Sequence, residues 1–288
     1  MQVREVLNSA VARFSAASVP SARMNAEMLL MFVLGCDRGY LFAHPERELT
    51  PDEQERYDAA RAERSRGVPA QYITGHQEFW GLDLIVSPAV LIPRPETEHV
   101  IETVLSLARS RCHARGEAPT SLRIVDVGTG SGCIALALAK ELPNAEIHAV
   151  DVCREALEVA RANAARHQLE SRIVFHEGDL LTGFLARGER FDFVVSNPPY
   201  VGDSEEEQVQ LEVRKFEPST AVFAGPSGLE VIERLIPQAR TAINPGGWLV
   251  MEISYRQEAA LTKLLADWSN VRFTPDLQGI ARVVAART

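Results

Sequence analysis

Hydrophobic residues recur at helical spacing through the first 75 positions of the chain. The first stretch carries them on one helical face, at Val3, Val6, Leu7, Ala10, Val11 and Phe14. Helix-capping signals predict a second helix between Ser21 and Gly35 and a further helix from Thr50 to near Gly67. We therefore predict a small helical domain over residues 1–75. It carries no cluster of reactive side chains, which favours partner recognition or packing over catalysis.

The hydrophobic period changes between residues 76 and 93. Alternation of the kind found in β-strands links Leu82, Leu84, Val86, Val90 and Ile92. Ser87 and Pro88 interrupt the alternation and are typical of a turn. The pattern predicts a β-hairpin linker over residues 76–93, with its turn at Ser87-Pro88.

Helical segments alternate with short hydrophobic runs from residue 94 to the end of the chain. Five runs are typical of buried strands, at residues 122–127, 146–151, 172–175, 191–196 and 248–253. This alternation predicts an α/β domain over residues 94–288, built on a doubly wound and mostly parallel sheet. Two further runs, at 271–274 and 282–286, predict a terminal hairpin on the edge of the sheet.

The composition agrees with two globular domains. Of 288 residues, 46% are hydrophobic and 24% are charged, which excludes a wholly disordered chain. The net charge is -9, whereas a protein that holds nucleic acid mainly by neutralising phosphates needs a basic face. Every apolar run is far shorter than the roughly 20 residues that cross a bilayer. We expect no direct nucleic acid partner and no membrane association.

The cysteines and histidines do not form recognisable metal motifs. Four cysteines are widely separated and include no CxxC pair, namely Cys36, Cys112, Cys133 and Cys153. The seven histidines show neither HxH nor HxxxH spacing. The first residues also lack the uninterrupted apolar stretch of a secretion signal. We expect no metal site, no disulfide framework and a cytoplasmic location.

A glycine-rich loop follows the first predicted strand of the α/β domain. Its residues are Gly128, Thr129, Gly130, Ser131 and Gly132. Glycines permit the sharp turn and let the backbone approach a ligand closely. Asp151 ends the next strand about 20 residues later, where a carboxylate can accept from both ribose hydroxyls. The pattern predicts a nucleoside-cofactor site that would suit NAD or S-adenosylmethionine, although a turn without a ligand remains an alternative.

The spacing of the glycines distinguishes the two cofactors. It is GxGxG rather than GxGxxG, and Asp126 precedes it. This resembles the first motif of the class I S-adenosylmethionine-dependent methyltransferases, which implies a Rossmann-like sheet of seven strands and S-adenosylmethionine as the cofactor. In that family adenine contacts follow the third strand, here at Asp179 and Leu180. Asp179 would accept from the exocyclic amine and Leu180 would pack against the ring.

Asn197, Pro198, Pro199 and Tyr200 end the fourth predicted strand, at the edge where ligands bind open α/β sheets. Two prolines fix the backbone, so the Pro198 carbonyl is held as an acceptor, and the Asn197 side-chain oxygen is a second one. Two acceptors match an –NH2 group on a planar system, on which Tyr200 can stack. Because the nitrogen of an amide or of an aromatic amine is a poor nucleophile, the predicted catalysis is to hold it in line with a sulfonium methyl.

Three further segments narrow the choice of methyltransferase family that the chain resembles. They are PAQYITG at 69–75, EFWG at 78–81 and LIPRPETE at 91–98. With NPPY, they resemble the release factor glutamine methyltransferase family, also called HemK or PrmC, over essentially the whole chain. The resemblance implies methylation of the side-chain amide nitrogen (N5) of the glutamine in the Gly-Gly-Gln motif of class 1 peptide-chain release factors. That reaction modulates translation termination.

The resemblance also implies roles for individual residues and for the domains. The glycine loop holds the cofactor together with Asp151, Asp179, Leu180 and Asn197. The NPPY residues bind the glutamine, and Asn197, Pro198 and Tyr200 are the catalytic residues. The helical domain recognises the substrate, and we expect the enzyme to be a monomer.

Two departures from the family pattern and four alternatives stay open. Ser254 stands where the family commonly has Gly, and Ala281 where it commonly has Asp, which puts local backbone geometry and an ion pair in doubt. An N6-adenine nucleic acid methyltransferase shares NPPY but needs a basic recognition region. The ribosomal protein L3 glutamine methyltransferase usually has Pro-Arg-Ser-Pro where residues 93–96 are Pro-Arg-Pro-Glu. A non-catalytic binding protein and an NAD oxidoreductase fit the motifs less well.

Overall fold

A computed structural model describes residues 1–115 and 122–288, without the side chains of 111–115, so Cys112 lies outside the described side chains. The chain divides into two compact units. The first comprises residues 1–76 and 210–216, and the second comprises residues 77–209 and 217–288. The domain and linker boundaries at 75 and 93 stay predictions.

Over the described residues the helices are α1 (Val3–Ala16), α2 (Ala22–Leu34), α3 (Arg38–Ala43), α4 (Pro51–Ser65), α5 (Ala70–Thr74), α6 (Glu98–Arg115), α7 (Cys133–Glu141), α8 (Arg154–Arg166), α9 (Thr182–Ala186), α10 (Leu211–Phe216), α11 (Ser219–Val222), α12 (Glu230–Ala242) and α13 (Glu258–Leu264), with 3₁₀ turns at Pro95–Thr97 and Asp203–Gln208. The strands are β1 (His76–Phe79), β2 (Leu82–Ile85), β3 (Arg123–Val127), β4 (Glu146–Asp151), β5 (Ile173–Glu177), β6 (Phe191–Ser196), β7 (Val201–Gly202), β8 (Phe223–Gly225), β9 (Ile243–Glu252), β10 (Ser269–Pro275) and β11 (Ala281–Arg287).

The first unit is a helical bundle around its own apolar core. Helices α1, α2, α4 and α5 all contribute to this core, and the apolar face predicted for α1 is buried. The helix-capping signal predicted at Thr50 is confirmed as a capping box. The Thr50 hydroxyl accepts from the backbone N–H of Glu53 at 3.2 Å, and the Thr50 N–H donates to Glu53 Oε2 at 2.9 Å. Gly35 ends α2 in the left-handed conformation, also as predicted. Ser21 precedes α2, but its side chain makes no capping bond.

The hairpin after the first unit has a different turn from the predicted one. Strands β1 and β2 pair across Trp80 and Gly81, which both have positive φ, at 54° and 66°. Two positive φ values suit the tight turns that match the twist of paired strands. The predicted turn at Ser87-Pro88 is therefore wrong as a hairpin turn. Val90 and Ile92, which the alternation assigned to the hairpin, are buried but lie outside any strand.

The second unit is built on a seven-stranded sheet. Its strand order is β10-β11-β9-β6-β3-β4-β5, in which the five strands from β9 to β5 are parallel and β11 is antiparallel to both its neighbours. Successive residues of the central strands enter opposite faces, with α6 and α7 covering one face and α9, α12 and α13 the other. The predicted doubly wound sheet and its edge hairpin are confirmed.

The strand order brings two loops together. After β3 the chain continues to β4 on one side, and β6 returns to pair with β3 on the other side. The last paired residues are Val127 and Ser196, whose hydroxyl donates to the Val127 carbonyl at 2.7 Å. The glycine loop and NPPY begin directly after these two residues. They therefore share one edge of the sheet, at its switch point.

Gly132 caps α7 in a confined position. Its φ is +82°, and an added Cβ would lie 2.5 Å from Leu136 Cδ1 and 3.2 Å from the Ala160 Cβ. Glycine is thus required here both by the backbone and by the packing of α7 against α8. Exposed Gly188 offers a matched control, since its φ is +67° and its added Cβ meets nothing within 4 Å.

Gly132→Ala should destabilise the protein more than Gly188→Ala. Both variants place alanine in the left-handed region, at a cost of about 1–2 kcal/mol. The overlap with Leu136 and Ala160 should add about 1–3 kcal/mol for Gly132 alone. Urea unfolding of both variants measures the difference. Equal losses of unfolding free energy would show that the packing around Gly132 imposes no constraint.

Candidate active site

A cavity of about 240 Å³ opens at the carboxyl ends of β3, β4, β5 and β6. Nine of the predicted site residues line it, namely Gly128, Thr129, Gly130, Ser131, Asp151, Asp179, Leu180, Asn197 and Pro199. Gly132, Pro198 and Tyr200 are not among the lining residues. The second unit alone supplies the whole lining. Residues from four separate loops are thus gathered around one opening.

The glycine loop is anchored to the neighbouring strand β4. The backbone N–H groups of Gly128 and Thr129 both donate to the Val150 carbonyl, at 2.8 and 3.1 Å. The N–H of Gly130 donates to Asp151 Oδ2 at 2.8 Å. Three amides that we expected to approach a ligand are therefore bound within the protein. Gly128 and Gly130 have positive φ and open space where a Cβ would lie, so the loop leaves room for a ligand beside its backbone.

Asp151 joins the glycine loop to the end of β4. Its Oδ1 accepts from the N–H of Cys153 at 2.9 Å, while Oδ2 accepts from Gly130. Burial raises the pKa of the Asp151 carboxyl, and these backbone donors oppose the rise. Each carboxylate oxygen keeps a second lone pair. Asp151 can therefore still accept from a pair of hydroxyls in the cavity.

Asp126 lies fully buried behind the loop. Its Oδ2 accepts from the Thr129 hydroxyl at 2.6 Å and from the N–H of Ala135 at 3.2 Å, whereas Oδ1 has no partner. Burial raises the pKa of Asp126 to about 7, against the effect of those two donors, and nearby Asp151 adds to the rise. The buried Asp126 carboxyl therefore links the glycine loop to the start of α7 by hydrogen bonds.

Asp179 and Leu180 lie at the far end of the cavity. Asp179 Oδ2 forms an ion pair with Arg234 of α12, and both side chains are about half exposed. Leu180 has a φ of +51° and packs against the apolar layer beneath α12. No sequence pattern pointed to Arg234, which also lines the cavity. The adenine contacts expected of Asp179 and Leu180 stay predictions.

The NPPY side chains are held by a buried hydrogen-bond network. Asn197 Nδ2 donates to the Thr97 hydroxyl at 3.1 Å, and Thr97 donates to Glu252 Oε2 at 2.5 Å. The Tyr200 hydroxyl donates to Glu252 Oε1 at 3.2 Å. Burial, followed by the Glu252 charge, raises the pKa of the Tyr200 phenol well above its usual range. Tyr200 is therefore a neutral donor, fixed to the protein at its hydroxyl end.

Sequence reasoning missed four residues that support this site. Thr97 and Glu252 complete the network, Gln257 donates to the carbonyls of Tyr200 and Gly228 at 3.3 and 2.9 Å, and Glu217 binds the N–H of Ile92 and the Arg94 guanidinium. One signal was available for Glu252. Like Asp151, it is a carboxylate at the carboxyl end of a buried parallel strand.

The two departures from the family pattern are accommodated locally. Ser254 lies outside the left-handed region, and its N–H donates to Gln257 Oε1 at 3.1 Å. Beside Ala281, the Arg282 guanidinium pairs instead with Asp276 at 2.9 Å. This pair holds the pKa of Asp276 below its usual range.

The described residues contain no group of three or more potential metal ligands. Among their cysteines, Cys36, Cys133 and Cys153 are free thiols. None of the described helices is both long enough and apolar enough to span a bilayer.

Asp126→Asn should remove a pH dependence of stability. A buried acid with a raised pKa keeps its proton in the native state while the unfolded chain loses it, so wild-type stability falls as pH rises from about 4 to about 7. Asparagine keeps one acceptor for Thr129 and Ala135. Relative to wild type, its unfolding free energy should gain about 2 kcal/mol between pH 5 and pH 7. Parallel urea titrations at the two pH values would refute this if both proteins changed equally.

Two segments of the chain match known protein families. Residues 5–75 match the family described as "PrmC N-terminal domain", and residues 114–218 match "Methyltransferase small domain". The release factor glutamine methyltransferase of Koribacter versatilis (strain Ellin345) is 53% identical, over 100% of this chain and 99% of that protein. The release factor glutamine methyltransferase of Xylella fastidiosa (strain 9a5c) is 41% identical, over 97% of this chain and 98% of that protein.

A solved structure shares the architecture at much lower identity. The hMettl16 catalytic domain in complex with MAT2A 3'UTR hairpin 1 superposes with a TM-score of 0.57 at 18% identity, over 86% of this chain and 83% of that chain. Such a likeness shows the fold alone. With the strand order above, it confirms the predicted class I methyltransferase fold.

Proposed function

The chain belongs to the release factor glutamine methyltransferase family, and from that premise we propose how its cavity carries out the reaction. The enzyme transfers a methyl group from S-adenosylmethionine to a release factor glutamine. In our proposal the glycine loop and Asp151 hold the cofactor, and NPPY holds the glutamine. The adjacency of these two loops at the ends of β3 and β6 is the observation that carries the proposal.

In this proposal, different residues of the chain bind different parts of the cofactor. The open space beside Gly128 and Gly130 accommodates the methionine end, and Asp151 accepts from the ribose hydroxyls through its remaining lone pairs. Leu180 packs against adenine, while Asp179 accepts from the exocyclic amine with the oxygen that Arg234 does not occupy. The bound cofactor supplies an electrophilic methyl group on a sulfonium.

NPPY supplies the orientation that an amide nitrogen needs. Because Thr97 occupies the Asn197 amino group, the Asn197 oxygen is the atom left to face a substrate. That oxygen and the Pro198 carbonyl accept the two N–H hydrogens of the glutamine amide. The nitrogen would then face the methyl carbon, and a carbon–nitrogen bond would form as the carbon–sulfur bond breaks. Water would take the amide proton afterwards, because an N-protonated amide is strongly acidic. Orientation and electrostatics carry this step.

The finer identity of the substrate also belongs to the proposal. We assign the glutamine to the Gly-Gly-Gln motif of class 1 release factors and substrate recognition to the helical domain. We also propose that the enzyme is a monomer and that it works in the cytoplasm, as those factors do. The acidic catalytic part of the chain suits a protein substrate better than a phosphate backbone.

Methyl transfer from labelled S-adenosylmethionine distinguishes the substrates. We expect label on a purified class 1 release factor, on N5 of the Gly-Gly-Gln glutamine, and none on a release factor whose motif glutamine is replaced by alanine. DNA and ribosomal protein L3 serve as competing substrates in the same assay. Label on DNA or L3 but not on the release factor would overturn the proposal.

Asn197→Ala and Asp151→Ala should separate turnover from cofactor binding. Losing an oriented acceptor should lower the Asn197→Ala kcat by about 100-fold or more, with the Kd for S-adenosylmethionine within about threefold of wild type. Losing the ribose acceptor should raise that Kd by about tenfold or more in Asp151→Ala. Calorimetry and single-turnover methylation report the two quantities. A wild-type kcat in Asn197→Ala, or a Kd for S-adenosylmethionine raised about tenfold in that variant, would contradict the assignment.

A further inference from the structure

Glu252 is a buried carboxyl that the reaction as described does not use. It ends β9 with 2% of its surface exposed, beside Thr97, which is 1% exposed. Two hydroxyls converge on it, with Thr97 on Oε2 at 2.5 Å and Tyr200 on Oε1 at 3.2 Å. One carboxylate oxygen therefore holds Asn197 through Thr97, and the other holds Tyr200.

The hydrogens in this network can be assigned by counting donors. An ionised carboxylate only accepts, so it requires both Thr97 and Tyr200 to donate. A threonine hydroxyl has a single hydrogen, so Thr97 can then only accept from Asn197. Asn197 must turn its amino group to Thr97 at 3.1 Å, which leaves its oxygen directed away from Thr97. The substrate-facing acceptor is thus determined two hydrogen bonds away, at Glu252.

We propose that Glu252 is a positioning residue that, through Thr97, fixes the Asn197 amide with its oxygen toward the substrate while also holding Tyr200. The inference rests on the proposed function, because it assumes that Asn197 accepts from the glutamine. Glu252 itself does not touch the substrate or the cofactor. It acts by excluding the flipped orientation of Asn197, in which an N–H donor would oppose the N–H donors of the glutamine.

Protonation of Glu252 removes that exclusion. A neutral carboxyl can donate to Thr97, which frees the threonine hydrogen for the Asn197 oxygen and allows the amide to flip. Burial raises the pKa of Glu252 to about 7, while Thr97 and Tyr200 oppose the rise. The titratable and charged groups around it are Glu96 of the 3₁₀ turn, Cys133 of α7, Tyr200 of the NPPY loop and Arg282 of β11. Lowering the pH through 7 should therefore lower kcat.

The matched pair Thr97→Val and Thr97→Ser tests the relay. Valine preserves the buried shape without the hydroxyl, and serine preserves the hydroxyl. We expect Thr97→Val to lower kcat by about 30-fold, with the KM for the release factor and the cofactor Kd within about threefold of wild type. Thr97→Ser should stay within about threefold of wild-type kcat. Equal kcat values for the two variants would overturn the relay.

Glu252→Gln tests the protonation step by its pH profile. Wild-type kcat should be about fivefold higher at pH 8 than at pH 6, and this ratio should fall to about one in Glu252→Gln and persist in Thr97→Ser. An unchanged acidic limb in Glu252→Gln would contradict the proposal. If this variant fails to bind cofactor or to fold, the two Thr97 variants decide alone.

Wild-type activity in the same assay distinguishes a failure of the proposed function from a failure of the positioning role of Glu252. If wild-type protein does not methylate the release factor glutamine, the proposed function fails. If it does, and Thr97→Val turns over at the wild-type rate, only the positioning role of Glu252 fails.

Discussion

The hydrogen-bonded pairing of β3 with β6 is the contact on which the site depends. It places Val127 beside Ser196, and the Ser196 hydroxyl fastens the two strand ends together. The loops that follow β3 and β6 are therefore neighbours. The glycine loop and the NPPY loop, separated in sequence by three strands and three helices, are thereby held side by side at one edge of the sheet. Any change that slipped this register would separate the two halves of the site.

Each of the two loops is secured from below by a buried carboxyl. Asp126 holds the glycine loop through Thr129 and the start of α7, and Glu252 holds NPPY through Thr97 and Tyr200. Burying an acid is unfavourable, and in both cases the pKa rises to about 7. Each buried acid therefore makes the folded protein less stable as the pH rises toward 7. The hydrogen bonds around Glu252 have a single direction only while its carboxyl is ionised.

Much of this architecture could be predicted from the sequence because the buried strands are hydrophobic on both faces and alternate with helices. Other features needed the fold. The hairpin turn has Trp80 at positive φ, which no sequence pattern predicts. The prediction missed that strand β9 begins at Ile243, because Gly246 and Gly247 are not typical of a strand. Thr97 and Glu252 are 155 positions apart, so their contact exists only once the sheet has formed. Motifs therefore identified residues that line the cavity, and tertiary structure supplied those that hydrogen-bond to them.

A crystal structure with S-adenosylhomocysteine and a Gly-Gly-Gln peptide would show whether NPPY orients the glutamine amide toward the cofactor. We expect the glutamine amide nitrogen about 3 Å from both the Asn197 side-chain oxygen and the Pro198 carbonyl, facing the cofactor sulfur, with Asp151 on the ribose. A glutamine whose carbonyl oxygen faced Asn197, or whose nitrogen pointed away from the sulfur, would contradict it.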